Sequence, residues 1–295
     1  MTRALIAICL LALFAAPPRL TAQTAAPEPS ITRVYREVAG RSLRAHIFLP
    51  PKVDKARPTN AILLFHGGGW SVGSPDWTFA AAKRFAEFGL VAVAIEYRLS
   101  TGTTTPIDAL DDVCEALAWI RTPSADFGRT GRVAGYGVSA GGHLVAAAAT
   151  IGCPNSAAAP DALLLWSPAL DVVNDGWFTK LLQGRGTAEA LSPARHVGSR
   201  TPPTSIVHGE RDTLTPVAGV KRYCAALTAL KRQCELHVYP GLGHLLTRNL
   251  KNQESDFDPD PVARADGIDR HQRFLTSLGF VGGMQPPLTA NAGGW

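Results

Sequence analysis

Two hydrophobic patterns alternate along this chain. Residues 61–65 (A-I-L-L-F), 90–95 (L-V-A-V-A-I) and 162–166 (A-L-L-L-W) are short, wholly apolar runs, as expected of strands covered on both faces. More mixed runs at 132–136, 204–207 and 235–239 read as further strands. Between them lie longer segments with apolar residues at helical spacing, at 76–88, 108–120, 144–150, 217–230 and 262–278. In the second of these Ala109, Val113, Ala116, Leu117 and Ile120 form one face. The start of the chain is different. Residues 34–38 and 43–49 are joined at Gly40, and the second sets Leu43, Ala45, Ile47 and Leu49 against Arg44, His46 and Phe48. That is the alternation of a half-buried antiparallel strand. The whole pattern predicts an α/β fold: a doubly wound, mostly parallel sheet of about eight strands with an antiparallel N-terminal edge. Residues 167–203 show weak periodicity with several Gly and Pro, and read as a small irregular insertion over the sheet.

Composition adds boundaries. A chain of 295 residues, 46% hydrophobic, is the size of one large α/β domain. Its first residues do not fit that domain. Arg3, the apolar run 5–16 and Leu20-Thr21-Ala22 have the layout of a secretory leader cut after Ala22. A retained N-terminal anchor is the alternative, although the apolar run is short for a bilayer span and no later run is long enough. The expected organisation is a leader at 1–22, a spacer at 23–30, the α/β domain at 31–281 and a Gly/Pro/Asn-rich tail at 282–295. Removing the leader leaves Cys114, Cys153, Cys224 and Cys234, an even set suited to an oxidising compartment. Cys224–Cys234 would tie a helix to the strand after it, which leaves Cys114–Cys153; free buried thiols are the alternative. The formal net charge is +5, two charges of which, Arg3 and Arg19, fall in the leader. The remainder is spread out, which argues against a nucleic-acid partner. No C-x-x-C or H-E-x-x-H pattern suggests a metal, and the chemistry expected below needs no cofactor. The oligomeric state is not legible.

The candidate chemistry centres on residues 135–143, G-Y-G-V-S-A-G-G-H. Ser139 lies between a predicted strand and a predicted helix, flanked by Gly137 and Gly141 as G-x-S-x-G. A nucleophile on so sharp a turn is pushed into the open, and only glycines let strand and helix approach closely enough. Acyl transfer also needs a base, a carboxylate to orient it, and donors for the developing oxyanion. Asp212, in H-G-E-R-D, and His244, in P-G-L-G-H, each follow a predicted strand and supply the first two. Asp171 is the rival acid. His66-Gly67-Gly68-Gly69 follows strand 61–65, where consecutive glycines can turn backbone amides toward the serine together with that of Ala140. His66 reads as an organiser of this loop, His143 as a packing or hydrogen-bonding residue and His208 as structural. Asp111 and Asp112, at the start of a helix turn, read as solvated or dipole-favourable charges.

These motifs resemble the α/β-hydrolase superfamily, in its H-G-G-G-W esterase and lipase branch near the bacterial acetyl-esterase and feruloyl-esterase-like groups. The resemblance spans residues 43–280. It rests on H-G-G-G-W from His66, Glu96-Tyr97-Arg98-Leu99, G-V-S-A-G-G-H from Gly137, H-G-E-R-D-T-L-T-P from His208 and Y-P-G-L-G-H from Tyr239. It implies Ser139, Asp212 and His244 as a catalytic triad, with Gly68, Gly69 and Ala140 as oxyanion donors. Val138 departs from the family, in which many members carry Asp or Glu before the serine, and no long cap region precedes the first strands. The expectation is therefore an exported serine hydrolase with an open site. It would favour short acyl esters, of small molecules or attached to polysaccharide as acetyl or feruloyl groups. Two alternatives stand beside it: an amide-cleaving peptidase or arylformamidase, and a non-catalytic binding module on the same fold.

Overall fold

The computed structural model describes residues 27–153 and 158–281. The leader expected at 1–22 and the tail at 282–295 lie outside the described residues, as does half of the spacer. Along the chain run β1 (Ile31–Val38), β2 (Arg41–Phe48), β3 (Thr59–Phe65), α1 (Phe79–Glu87), β4 (Val91–Ile95), α2 (Pro106–Trp119) and β5 (Thr130–Val138). They are followed by α3 (Ala140–Thr150), β6 (Ala162–Trp166), α4 (Gly176–Leu181), β7 (Thr204–Gly209), α5 (Val217–Ala229), β8 (Cys234–Tyr239) and α6 (Pro261–Ser277).

The eight strands form one sheet in the order β1-β2-β4-β3-β5-β6-β7-β8. β1, β2 and β4 pair antiparallel, and every pairing from β4 to β8 is parallel. β3 explains its own apolar run: Ala61, Leu63 and Phe65 enter the core under α2, α3 and α5, whereas Ile62 and Leu64 enter the core under α1 and α6. Successive side chains of a strand point to opposite faces, so a strand covered twice has no polar position.

The element limits differ from the sequence reading where capping intervened. α2 starts at Pro106 rather than at residue 108, because Thr105 and Asp108 form a reciprocal capping box with proline in the first turn. The helix expected from residue 76 opens as a 3₁₀ turn over Pro75–Thr78 before α1. The insertion between β6 and β7 contains the short helix α4, whose first turn is capped by the Asp175 side chain on the Phe178 amide at 2.9 Å.

Asp112 is 0% exposed rather than solvated. It accepts from Arg36 Nη1 at 2.6 Å, from Arg98 Nε at 2.8 Å and from the Arg98 backbone amide at 2.8 Å, tying β1 and the segment after β4 to α2. Asp111 stays nearer the surface and pairs with Arg36 at 2.6 Å. The cysteines pair as Cys114–Cys153, from α2 to the end of α3, and Cys224–Cys234, from α5 to β8. Among the described residues no helix is long and apolar enough to cross a membrane.

Candidate active site

Three connections at the carboxyl edge of the parallel strands meet at Ser139. β5 runs into the serine and α3 starts at the next residue, which holds Ser139 at φ +52°, ψ −116°. Its amide donates to the Trp166 carbonyl at 2.9 Å, and its carbonyl accepts from the His143 amide at 3.0 Å. The flanking glycines are required by crowding. A Cβ on Gly137 would sit 2.5 Å from the Gly142 Cα, and one on Gly141 would overlap the carbonyls of Phe65 and His66 at the end of β3.

His244 follows β8, and its Nε2 lies 3.0 Å from Ser139 Oγ. On its other side Nδ1 lies 2.8 Å from Asp212 Oδ2. An ionised Asp212 accepts the Nδ1 proton, which leaves Nε2 as the acceptor facing the serine hydroxyl. Asp212 is held in its loop after β7 by the amides of Leu214 and Thr215, at 3.0 and 2.8 Å from Oδ1, and by the Thr215 hydroxyl, at 2.8 Å from Oδ2. Burial opposes ionisation of this carboxyl, but the hydrogen bonds and charge it shares with His244, together with the Thr215 amide, keep it below the usual carboxylate range. His208 lies 3.6 Å from the same carboxylate. Burial pushes it down to about 4, so it is neutral, and it donates to the Thr215 carbonyl at 2.8 Å. Asp171, the rival acid, accepts from Ser192 Oγ at 3.1 Å and pairs with Arg222. It lines the same cleft without bonding a histidine.

The glycine loop after β3 is shaped by its carbonyls. His66 Nδ1 donates to the Gly67 carbonyl at 2.7 Å, and the Gly68 carbonyl accepts from the amides of Ser71 and Val72 at 3.1 and 3.0 Å. In a trans peptide the N–H lies opposite the carbonyl, so the amides of Gly68 and Gly69 are turned away from those partners. Gly68 and Gly69, at φ +108° and +55°, allow the reversal. Among the described residues these two amides and that of Ala140 have no acceptor. The loop abuts the serine, since a Cβ on Gly67 would lie 3.2 Å from Ser139 Cβ. His66 itself stacks on Tyr97 with ring centroids 4.3 Å apart, while the Tyr97 hydroxyl donates to the His66 carbonyl at 2.8 Å. Burial lowers His66 to about 4, so it is a neutral organiser of the loop. His143, also lowered to about 4 by burial, accepts from Trp70 Nε1 at 3.1 Å and donates to the Leu191 carbonyl at 2.8 Å. It joins the glycine loop to the insertion.

The matches to known proteins agree with this layout. A family model described as alpha/beta hydrolase fold matches residues 62–248, the stretch that holds Ser139, Asp212 and His244. The chain belongs to the alpha/beta hydrolase fold family. Among curated relatives it is 27% identical over 212 residues to esterase LipQ, and 27% identical over 253 residues to the probable carboxylic ester hydrolase LipM, both of Mycobacterium tuberculosis. These alignments cover 64% and 72% of this chain but only 50% and 57% of the relatives, so the chain spans about half the length of the curated relatives it matches. Solved structures match over most of both chains. A propionate-bound esterase of Thermogutta terrifontis aligns with a TM-score of 0.74 at 28% identity, covering 86% of this chain and 96% of that one. Thermogutta terrifontis esterase 2 phosphoramylated by tabun aligns with a TM-score of 0.76 at 28% identity, covering 88% and 98%.

Sequence motifs left one residue of this hydrolase-fold site unread. Gln253, 5% exposed in the loop between β8 and α6, accepts the His244 amide at 2.8 Å and the Thr213 amide at 3.2 Å on one oxygen. Its Nε2 donates to the Arg211 carbonyl at 3.0 Å. It therefore binds the histidine loop to the acid loop. A lone glutamine in a polar stretch carries no periodicity or motif that would reveal it. The site opens into a cleft of about 930 Å³ lined by the glycine loop, Ser139, His244 and the insertion.

Proposed function

We propose that this chain is a serine hydrolase that cleaves carboxylic esters through an acyl-enzyme. The observation that carries the reading is the unbroken line Asp212–His244–Ser139, at 2.8 and 3.0 Å, ending beside a loop of amides with no acceptor among the described residues. His244 Nε2 takes the Ser139 proton as Oγ attacks the ester carbonyl, and the imidazolium formed is stabilised by Asp212. The carbonyl oxygen, now an anion, accepts from Gly68, Gly69 and Ala140, donors of a kind worth about 3–4 kcal/mol each. Collapse expels the alcohol, which receives the proton from His244. Water then attacks the acyl-serine with His244 as base, the acid leaves and Ser139 regains its proton.

Short acyl groups are the favoured substrates in this reading. The matched Thermogutta terrifontis esterase is described in propionate- and butyrate-bound forms, and the insertion above the sheet is small. Export belongs to the same proposal, and rests on the leader-like residues 1–22 and the two disulfides. The test pairs the purified protein with its Ser139→Ala variant. Both are treated with a fluorophosphonate probe and assayed on para-nitrophenyl esters from acetate to decanoate. Labelling and turnover should vanish in the variant, with acetate to butyrate as the best substrates. An unlabelled, folded wild type would overturn the catalytic reading. Faster cleavage of a matched anilide than of the ester would replace it with an amidase.

A further inference from the structure

The glycine loop ends in a backbone shape that needs support from outside it. Gly69 and Trp70 follow each other at φ +55° and +62°, and a left-handed conformation at a tryptophan is strained unless its surroundings enforce it. The bonds that turn the Gly67 and Gly68 carbonyls come from within the loop, from His66, Ser71 and Val72. Those at Gly69 and Trp70 come from elsewhere. Trp177 Nε1, on α4, donates to the Gly69 carbonyl at 3.0 Å. Its indole edge lies over Gly69, where an added Cβ would be 3.3 Å from that nitrogen. The next residue of α4, Phe178, is fully buried and meets the Trp70 ring edge-on, with centroids 4.8 Å apart. The Trp70 carbonyl accepts from the Ser100 amide at 2.7 Å. Two consecutive residues of the insertion thus hold two consecutive residues of the loop. The insertion is itself tied down: past the end of α4, Gln183 Nε2 donates to the Thr101 carbonyl, and Arg185 Nη1 donates to Asp108 Oδ2 at 2.7 Å. Lys180 Nζ sits over the Trp177 ring, 5.8 Å from its centroid.

The Gly69 amide is one of the donors aimed at the oxyanion. Glycine has the widest choice of backbone angles, so its amide keeps one direction only when the peptide groups on both sides are held. The Gly68 carbonyl is held on one side by Ser71 and Val72, and the Gly69 carbonyl on the other by Trp177. We propose that Trp177 is a positioning residue for the oxyanion donors, acting through the Gly69 carbonyl, and that the insertion braces the glycine loop. The proposal rests on the ester-hydrolase reading and adds a residue to it. It places the benefit of the bond in the transition state, because preorganised amides stabilise an anion far more than a neutral ester carbonyl.

Two variants of the full chain test it. Trp177→Phe keeps an aromatic ring and removes the N–H donor. In the other, Trp177 is replaced by benzothienylalanine, which keeps the shape of the indole with sulfur in place of the N–H. Each is assayed on para-nitrophenyl butyrate and titrated with an alkyl trifluoromethyl ketone. Ser139 Oγ adds to the carbonyl carbon of that inhibitor, the serine proton passes to His244, and the resulting oxyanion faces the loop amides. In both variants kcat should fall about tenfold, with KM changed by less than about twofold, and Ki for the ketone should rise about tenfold. Wild-type kcat and Ki in both variants overturn the proposal. A raised KM at unchanged kcat also overturns it, since Trp177 would then be only a wall of the cleft. Full activity with benzothienylalanine beside a loss in Trp177→Phe overturns it too, because bulk and not the donor would matter. A folded wild type that neither cleaves the ester nor binds the ketone rejects the hydrolase reading and this proposal with it. An active wild type with unaffected variants rejects the proposal alone.

Discussion

A serine hydroxyl becomes a useful nucleophile only when its proton has somewhere to go, and here that depends on the tautomer of one imidazole. Asp212 fixes the tautomer by accepting from Nδ1 at 2.8 Å. In Asp212→Asn the amide can donate to Nδ1 and turn the ring's proton toward Ser139, so kcat should fall by about 10⁴-fold while the fold, followed by circular dichroism, persists. Gln253 acts one step back, as a positioning residue. Gln253→Leu keeps the volume but strands the amides of His244 and Thr213, both hydrogen-bonded to the glutamine oxygen. A drop in kcat of about 10- to 100-fold with little change in KM is expected, because misplacing His244 affects the transition state more than substrate binding. Gln253→Glu retains the acceptor oxygen and should recover part of that loss. Equal activity in the Leu and Glu variants would show that Gln253 only fills space.

At the scale of elements, the site depends on how closely α3 approaches β3. Gly141→Ala would drive a methyl group into the Phe65 and His66 carbonyls at the end of β3. We expect a loss of at least about 2 kcal/mol in urea unfolding and a weakened serine turn. Asp112 shows the same economy among charges. Asp112→Ala would leave Arg36 and Arg98, 17% and 11% exposed at their side chains, without their shared buried partner. A loss of about 3–5 kcal/mol is expected, measured by urea midpoints. The strands and helices were legible because their apolar periods are dictated by burial. Their ends were less so: capping by Thr105 and Asp108 set the start of α2, and the pairing of Asp112 with two arginines needed β1 and β4 beside it.

For the whole molecule, the buried histidines set the response to acid. Burial lowers His66, His143 and His208 to about 4 and His271 to about 3, against an ordinary imidazole value of about 6.5. Their folded values lie below the unfolded ones, so the unfolded chain binds more protons as pH falls. Stability is therefore complete above about pH 6.5 and declines toward pH 4, on the order of 2 kcal/mol per histidine by pH 5. Urea midpoints at pH 5 should lie well below those at pH 7.5. His271 packs between Tyr136 and Trp166 beside a small pocket of about 20 Å³, and its Nε2 has no hydrogen-bond partner among the described residues. His271→Phe should move the acid-unfolding midpoint to lower pH, and no movement would place the acid sensitivity elsewhere.

Residue order alone was enough for the α/β architecture, the antiparallel edge and the choice of Ser139, Asp212 and His244 as candidates. Hydrophobic period and glycine placement are local properties, and strand ends mark where side chains can converge. Only the folded chain could set Asp212 against His244 Nδ1, bury Asp112 and recruit Gln253. Each of these is a contact between segments far apart along the chain, and no local pattern encodes how close two distant loops come to lie.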